Sequence, residues 1–279
     1  MKTAKIPILT NVPIGEGREL PLLQFPLLTE CGIVKHCFTT RLGGVSEGIF
    51  ESFNLSFSRG DKREFVEENY HRLSKALDVE YGSFVFSKQT HTTNVIRVGR
   101  KHAGNGILHT QDVDGLVTDD PKVTLVTFYA DCVPLYFVDT AHHAIGLSHS
   151  GWRGTVGRMG RVTLEKMKQE FDTNPKDVLC AVGPSICQNC YEVSEDVAAA
   201  FADEFLGHED EILTSKGNGK YLLNLWKANE IVLTEAGIQK KHLAVTNLCT
   251  CCNPGLLFSH RASRGKRGNL AAVMALKNK

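Results

Sequence analysis

Ala144-Ile145-Gly146-Leu147-Ser148-His149-Ser150-Gly151-Trp152-Arg153-Gly154 is the stretch on which the fold turns. Ala144 to Leu147 is a short apolar run of the kind a buried strand makes. After Gly154, Val156, Met159, Thr163, Met167 and Phe171 recur at helical spacing, one apolar stripe with Thr163 as its weak member. The stretch therefore reads as a strand running into a helix, with His149 at the joint. A histidine there can face a pocket rather than the core, close to the first unpaired N–H groups of the helix. Arg153 adds a permanent positive charge. Imidazole, helix N-terminus and arginine together suit a metal or proton-transfer site that handles an anion.

Working outward, Asp61-Lys62-Arg63-Glu64 has capping-box spacing, and Val66, Tyr70, Leu73 and Leu77 then follow one helical face. Further helices are expected over 194–206 and over 225–236, the latter stopped by Gly237. Short apolar runs predict strands over 123–126, 135–138, 144–147, 179–182, 243–246 and 256–259. Strands cluster in the middle and helices intervene irregularly. That pattern predicts an α+β fold, a single domain over 1–279 with mixed β-sheets covered by helices. Lys216-Gly217-Asn218-Gly219-Lys220 is the clearest exposed turn.

A formal net charge of +1 argues against nucleic acid as the main partner, because phosphate backbones call for a basic field. The basic cluster Arg261, Arg264, Lys266 and Arg267 is the local exception, and composition alone reads it as a solvated surface. Nothing after Lys5 resembles the apolar core of a signal peptide, and no apolar stretch approaches membrane-spanning length. Nine cysteines without a secretory signal point to reduced thiols in the cytoplasm.

Several common signatures are missing: a Walker loop, a Gly-x-Ser-x-Gly elbow, a His-Glu-x-x-His helix and the zinc-deaminase pattern. Three polar residues stand at strand ends or in tight turns instead. His91 lies in Lys88-Gln89-Thr90-His91, Cys132 in Ala130-Asp131-Cys132-Val133-Pro134, and His149 completes the set. Two imidazoles and a thiolate make three good Zn²⁺ ligands with a fourth position left for water or substrate. The same residues could instead form a metal-free Cys–His nucleophilic pair, or be ordinary surface and core residues in a chain with eleven histidines. Cys187-Gln188-Asn189-Cys190 with Cys249-Thr250-Cys251-Cys252 raises a rival, structural zinc site. Read as Cys-x-Cys-Cys, the second cluster lacks the usual spacing, and reduced, semi-buried thiols are expected there.

At these residues the chain resembles the multicopper polyphenol oxidoreductase (laccase-like) family, also called purine nucleoside phosphorylase-like or peptidoglycan editing factor proteins. The matching blocks include Thr39-Thr40-Arg41-Leu42-Gly43-Gly44, Ser52-Phe53-Asn54-Leu55-Ser56, Lys88-Gln89-Thr90-His91 and Asp112-Val113-Asp114-Gly115. Ala130-Asp131-Cys132-Val133-Pro134, His149-Ser150-Gly151-Trp152-Arg153-Gly154, Gly183-Pro184-Ser185-Ile186, Cys190-Tyr191-Glu192-Val193 and Phe258-Ser259-His260-Arg261 continue the series. Their order covers nearly the whole chain after the first thirty or so residues. The family pattern is broken at Arg261-Ala262, where Arg-Arg is usual, and at Gly268-Asn269, where Gly-Arg is usual.

The resemblance implies that His91, Cys132 and His149 are a metal-binding catalytic trio for zinc, with copper possible. It implies a single α/β domain that phosphorolyses adenosine, inosine and methylthioadenosine and deaminates adenosine. The expected partners are a purine nucleoside and phosphate, with Arg41, Asn54 and Arg153 as candidate substrate or phosphate contacts. The rival reading is a metal-assisted amidase editing a nucleotide-linked cell-wall precursor. A copper polyphenol oxidase is less expected, since it needs several His-rich sites. A non-enzymatic metal-binding protein, its trio closed by a fourth protein ligand, is the remaining alternative.

Overall fold

Apolar side chains point alternately to the two faces of strands that are buried on both sides, and this alternation sets the layers. In the computed structural model, which describes residues 6–104 and 112–278, the strands form three sheets. The first runs in the order β1 (Ile8–Gly15), β2 (Arg18–Gln24), β3 (Val34–Thr39), β15 (Leu270–Leu276), β7 (Thr124–Tyr129) and β4 (Phe84–Phe86). The second is β14 (Leu243–Val245), β10 (Val178–Val182), β8 (Val133–Asp139), β9 (Ala144–Ser150), β6 (Gly115–Thr118) and β5 (Val95–Arg97). The third is small: β11 (Glu192–Ser194), β13 (Lys220–Leu223) and β12 (Leu213–Gly217). The β4–β7, β5–β6 and β10–β14 pairs are parallel and the rest antiparallel, so both large sheets are mixed.

The described helices are α1 (Pro26–Glu30), α2 (Arg63–Leu77), α3 (Trp152–Val156), α4 (Met159–Phe171), α5 (Glu195–Glu204), α6 (Glu209–Ile212), α7 (Leu225–Glu235) and α8 (His260–Ser263). Leu125, Leu270, Ala272 and Met274 of the first sheet share one apolar cluster with Tyr136, Val138, Ile145 and Leu147 of the second. The two sheets therefore pack face to face. Val126, Ala271 and Val273 point the other way and are covered by Val66, Tyr70, Leu73 and Leu77 of α2. On the outer face of the second sheet, Val133, Leu135 and Phe137 meet Leu164, Met167 and Phe171 of α4 and the apolar face of α7. The order is helix, sheet, sheet, helices, an α+β fold with mixed sheets as expected.

Local expectations fare unevenly. The helix predicted over 156–171 begins earlier and breaks in two at Gly157-Arg158, where Arg158 adopts φ +57°. Its guanidinium is tied to Glu204 and Glu235, which fixes the break. Thr163, the weak member of the stripe, shares a 2.7 Å hydroxyl hydrogen bond with Ser148 of β9, so a polar pair replaces an apolar contact. Asp61 does not cap α2, whose flanking residue is Lys62; its carboxylate instead accepts from Asn54 Nδ2 and Lys62 N. Residues 256–259 are no strand. Leu256 and Leu257 donate to Asn253 O in a turn, and Ser259 Oγ caps α8 by accepting from Ala262 N. Central β15 escapes a propensity reading because three of its seven residues are alanine, which carries little strand preference. The exposed turn after Lys216 is a hairpin with Asn218 at φ +52° and Gly219 at φ +66°, the left-handed pair that matches the twist of two strands.

Leu147 is fully buried between the two large sheets, two residues before His149 on the same face of β9. Leu147→Ala should cost about 2–5 kcal/mol of stability, read as a lower midpoint with unchanged slope in urea unfolding.

Candidate metal centre

The topology brings three distant segments to one end of the second sheet. Val133 of β8 pairs with Ser150 of β9, and Pro134 with His149, so the start of β8 lies beside the end of β9. Residues 130–132 cross from β7 in the first sheet to β8 in the second, which puts Cys132 at this end. Gly115 of β6 pairs with Ser148, and Asp114 just before it receives His149 N at 2.7 Å on its carbonyl. The loop between β4 and β5 carries His91 and is bound to the same Asp114. Strand alternation turns His149 toward the first sheet, where its ring lies 5.5 Å from that of Tyr129. The strand runs to Ser150, so His149 is a strand residue rather than a turn residue as the sequence suggested.

His91, Cys132 and His149 offer Nε2 or Nδ1 and Sγ atoms that all lie within 4.8 Å of one another. Cys132 Sγ is 4.0 Å from His91 Nε2, and the two imidazoles meet edge to face with centroids 5.0 Å apart. Gly151 closes the cradle: a Cβ there would come within 3.0 Å of His91 Cδ2 and 3.1 Å of Cys132 Sγ. Two nitrogens and one sulfur at this spacing fit a borderline-soft divalent ion, and three protein ligands leave one coordination position open.

Asp114, fully buried, organises the trio. Its Oδ1 accepts from His149 Nδ1 at 2.8 Å and His91 N at 3.1 Å. Its Oδ2 accepts from Thr90 N, Thr92 N and Thr92 Oγ1 at 2.9–3.1 Å. With Nδ1 donating to Asp114, His149 presents Nε2 as its free donor atom. Burial works against the Asp114 charge, yet the bonds from His149, Thr92 and Thr90 outweigh it and hold the carboxyl below its ordinary value. Burial also opposes ionisation of Cys132, but His149 and His91 pull its thiol down to about 6. His149 is in turn raised to about 9 despite burial, by the Cys132 charge and by Asp114. The pair is shifted toward thiolate and imidazolium, so Cys132 tends to the form that binds a metal, and an ion would displace the Nε2 proton of His149.

Backbone strain marks the same place. His91 has φ +66° and Asp131 φ +93°, conformations that non-glycine residues hold only when their surroundings fix them. For Asp131 the surroundings are explicit: its carbonyl accepts from Ile186 N at 3.0 Å, Oδ1 from Thr250 Oγ1 and Oδ2 from Arg261 N, both at 2.7 Å. Sequence reasoning passed over Asp114 and Asp131. The signal available was their position, each an acidic residue next to the start of an apolar run.

The trio lines a cavity of about 590 Å³. Trp152, Tyr191 and Phe128 supply aromatic wall, and Arg59, Arg153 and Arg267 supply charge. Arg153, exposed at the rim, stacks its guanidinium 4.2 Å over Trp152. The other two candidate contacts lie elsewhere. Arg41 does not line the cavity; it donates to Glu51 O and Pro254 O and stacks over Phe258. Asn54 is fully buried and outside the cavity lining, its amide spent on Ser56, Asp61 and the Asn269 N–H. Both hold loops together. Conversely, Arg261 and Arg267, read from composition as solvated surface, line the cavity, and Arg267 is half-buried. Burial and the nearby Arg59 charge lower its guanidinium to about 10.

Residues 35–277 match the family model described as multi-copper polyphenol oxidoreductase laccase. The chain is 33% identical over 244 residues to purine nucleoside phosphorylase YlmD of Bacillus subtilis, covering 86% of this chain and 87% of that protein. It is 33% identical over 261 residues to a purine nucleoside phosphorylase of Bacteroides thetaiotaomicron, 92% and 97% of the two chains. The crystal structure of the Bacillus licheniformis hypothetical protein YfiH superposes with a TM-score of 0.87 at 32% identity, covering 92% of this chain and 96% of that one. With the family model spanning most of its length and these likenesses beside it, the chain belongs to the multi-copper polyphenol oxidoreductase laccase family.

Proposed function

We propose that this protein is a zinc-dependent purine nucleoside enzyme, a single domain over 1–279 working in the cytoplasm. It phosphorolyses adenosine, inosine and methylthioadenosine to base and ribose 1-phosphate and deaminates adenosine. The observation that carries this reading is the cavity itself, with three metal-type donors at its floor and arginines in its wall. The relatives named purine nucleoside phosphorylase at about one-third identity support the substrate class.

His91, Cys132 and His149 would hold the ion, and zinc suits the set better than redox copper. No methionine is among the described lining residues to give the long axial ligand of an electron-transfer site. When bound, the ion supplies a Lewis acid beside the reacting purine nucleoside. The protein's own residues do the rest. Asp114 fixes the ring and tautomer of His149. Trp152 and Tyr191 offer flat apolar surface for a purine, and burial pushes the Tyr191 phenol up to about 12, so it stays neutral. In phosphorolysis a phosphate oxygen bonds to the anomeric carbon as the bond to the base nitrogen breaks. The anion then needs fixed positive charge beside the sugar.

Arg267 and Arg59 answer that need. The buried Nε of Arg267 and Oδ1 of Asn269 make no hydrogen bond among the described residues, and both side chains line the cavity. His260, also in the lining, is lowered by burial and by the Arg267 charge. Phosphate is therefore assigned to the Arg59–Arg267 wall, with Arg153 at the rim. α3 has only five residues and is not counted on as an anion site.

Chromatography of products from adenosine, with and without phosphate, tests the reading. Adenine formed only with phosphate, and inosine formed in either case, is the expected result; no turnover with zinc bound would shift the assignment to the amidase. Cys132→Ala and His149→Ala should each abolish turnover and cut zinc at this site with far-ultraviolet circular dichroism unchanged. An active, metal-free variant sinks the metal role. Asp114→Asn should weaken zinc binding about 10–100-fold, measured by competition with a chromophoric chelator. Arg267→Gln should raise the phosphate KM about 10–100-fold and leave deamination unmoved; equal loss of both activities would remove phosphate from this wall.

A further inference from the structure

The expectation of plain reduced thiols at the second cysteine cluster rests on reading Cys249 to Cys252 as Cys-x-Cys-Cys. The outer pair, Cys249 and Cys252, in fact has two residues between, the same spacing as Cys187 and Cys190. The fold brings the two pairs together. Ser185, just after β10, forms a parallel bridge with Cys249, which lays the segment 185–190 alongside the segment 249–252. The sulfurs of Cys187, Cys190, Cys249 and Cys252 then all lie within 4.8 Å of one another. Cys252 Sγ is 3.4 Å from Cys190 Sγ and 3.9 Å from Cys187 Sγ. Four sulfurs about 2.3 Å from a central zinc ion stand about 3.8 Å apart, so little adjustment separates this cluster from a tetrahedron. Cys251, between the two ligands of its pair, is not part of the group.

Two further features belong to a metal site rather than to a chance meeting of thiols. Cys249 Sγ accepts backbone N–H bonds from Cys187 at 3.2 Å and from Cys252 at 3.4 Å. Main-chain donors converging on one sulfur stabilise a thiolate and are the outer-shell partners a metal-bound cysteine needs. Secondly, four convergent sulfurs exceed what one disulfide would use, and all nine cysteines are free.

We propose that Cys187, Cys190, Cys249 and Cys252 form a second, structural zinc site, closed by four thiolates and separate from the His91–Cys132–His149 trio. It clamps the loop that lines one side of the cavity, 186–191, to the loop 249–252 that braces Asp131. Ile186 and Tyr191, which flank the first pair, line that cavity. Thr250, inside the second pair, bonds Asp131, and Arg261 holds Cys190 O and Glu192 O from α8. The ion thus fixes the backbone that holds Asp131, and with it Cys132, in place.

The proposal stands apart from the reading of the trio, and the test keeps them apart. The full-length chain carrying Cys132→Ala and His149→Ala is purified under reducing conditions, dialysed against a weak chelator and analysed for zinc by mass spectrometry. One zinc per chain is expected, against two in the unaltered protein. Adding Cys187→Ser and Cys252→Ser should remove the last equivalent and lower the thermal midpoint. Should that variant fail to fold, cobalt replacement in the Cys132→Ala, His149→Ala chain gives the answer. Intense tetrahedral ligand-field bands with thiolate-to-cobalt charge transfer are expected. A metal-free Cys132→Ala, His149→Ala chain, zinc retained without Cys187 and Cys252, or cobalt spectra lacking thiolate charge transfer would each overturn the proposal.

Discussion

The carboxylate of Asp114 is the constraint on which the site depends. A buried charge is expensive unless its lone pairs are filled, and here five donors fill them: three backbone N–H groups, one hydroxyl and the Nδ1–H of His149. Those donors come from 90–92 and from the end of β9, so satisfying one side chain brings two of the three candidate ligands together. The left-handed His91 is part of the same arrangement, since its N–H must turn inward to reach Oδ1. A hydrophobic residue at 114 would take the acceptor from all five donors and remove the carboxylate that holds the His91 N–H.

Cys132 is placed by different means. Residues 130–132 must pass from one sheet to the other, and the crossing is tight enough to force Asp131 to φ +93°. Asp131 then acts as a bracket, receiving Ile186, Thr250 and Arg261. These partners border the thiol cluster and the arginine wall. The three candidate ligands therefore rest on two supports, a buried aspartate behind the histidines and a strained aspartate beside the cysteine. Long-range hydrogen bonds rather than local helix or sheet geometry do the positioning.

Much of this was legible in the residues where a local rule was enough. The short apolar runs at 135–138 and 144–147, the helical stripe of α2 and the exposed turn at 216–220 followed from composition, spacing and turn chemistry. His91, Cys132 and His149 stood out because each polar side chain interrupts apolar or tightly turned sequence. What stayed hidden was set by tertiary contact. Asn54 looks like a pocket residue in a motif block, yet its amide is consumed by neighbours that only the fold supplies. Arg267 looks like surface in a run of basic residues, yet the return of β15 to the centre of the first sheet pulls it into the cavity wall. The break at Arg158 depends on Glu204 and Glu235, which lie on other helices.

Arg267 and Arg59 give the proposed phosphate site its electrostatic argument. Burial in the wall costs the Arg267 guanidinium its hydration, and the nearby Arg59 charge adds repulsion, which is why it falls to about 10. A fold that needed only packing there would use neutral side chains of similar volume. An anion between them reverses both penalties, because each guanidinium gains a charge-assisted bond and loses a like-charged neighbour unscreened. Binding and protonation are then linked: the anion favours the charged form of Arg267, and loss of that charge at high pH weakens the anion. A phosphate bound there would offset that cost, which is the physical ground for placing the proposed anion at this wall rather than at an ordinary basic surface.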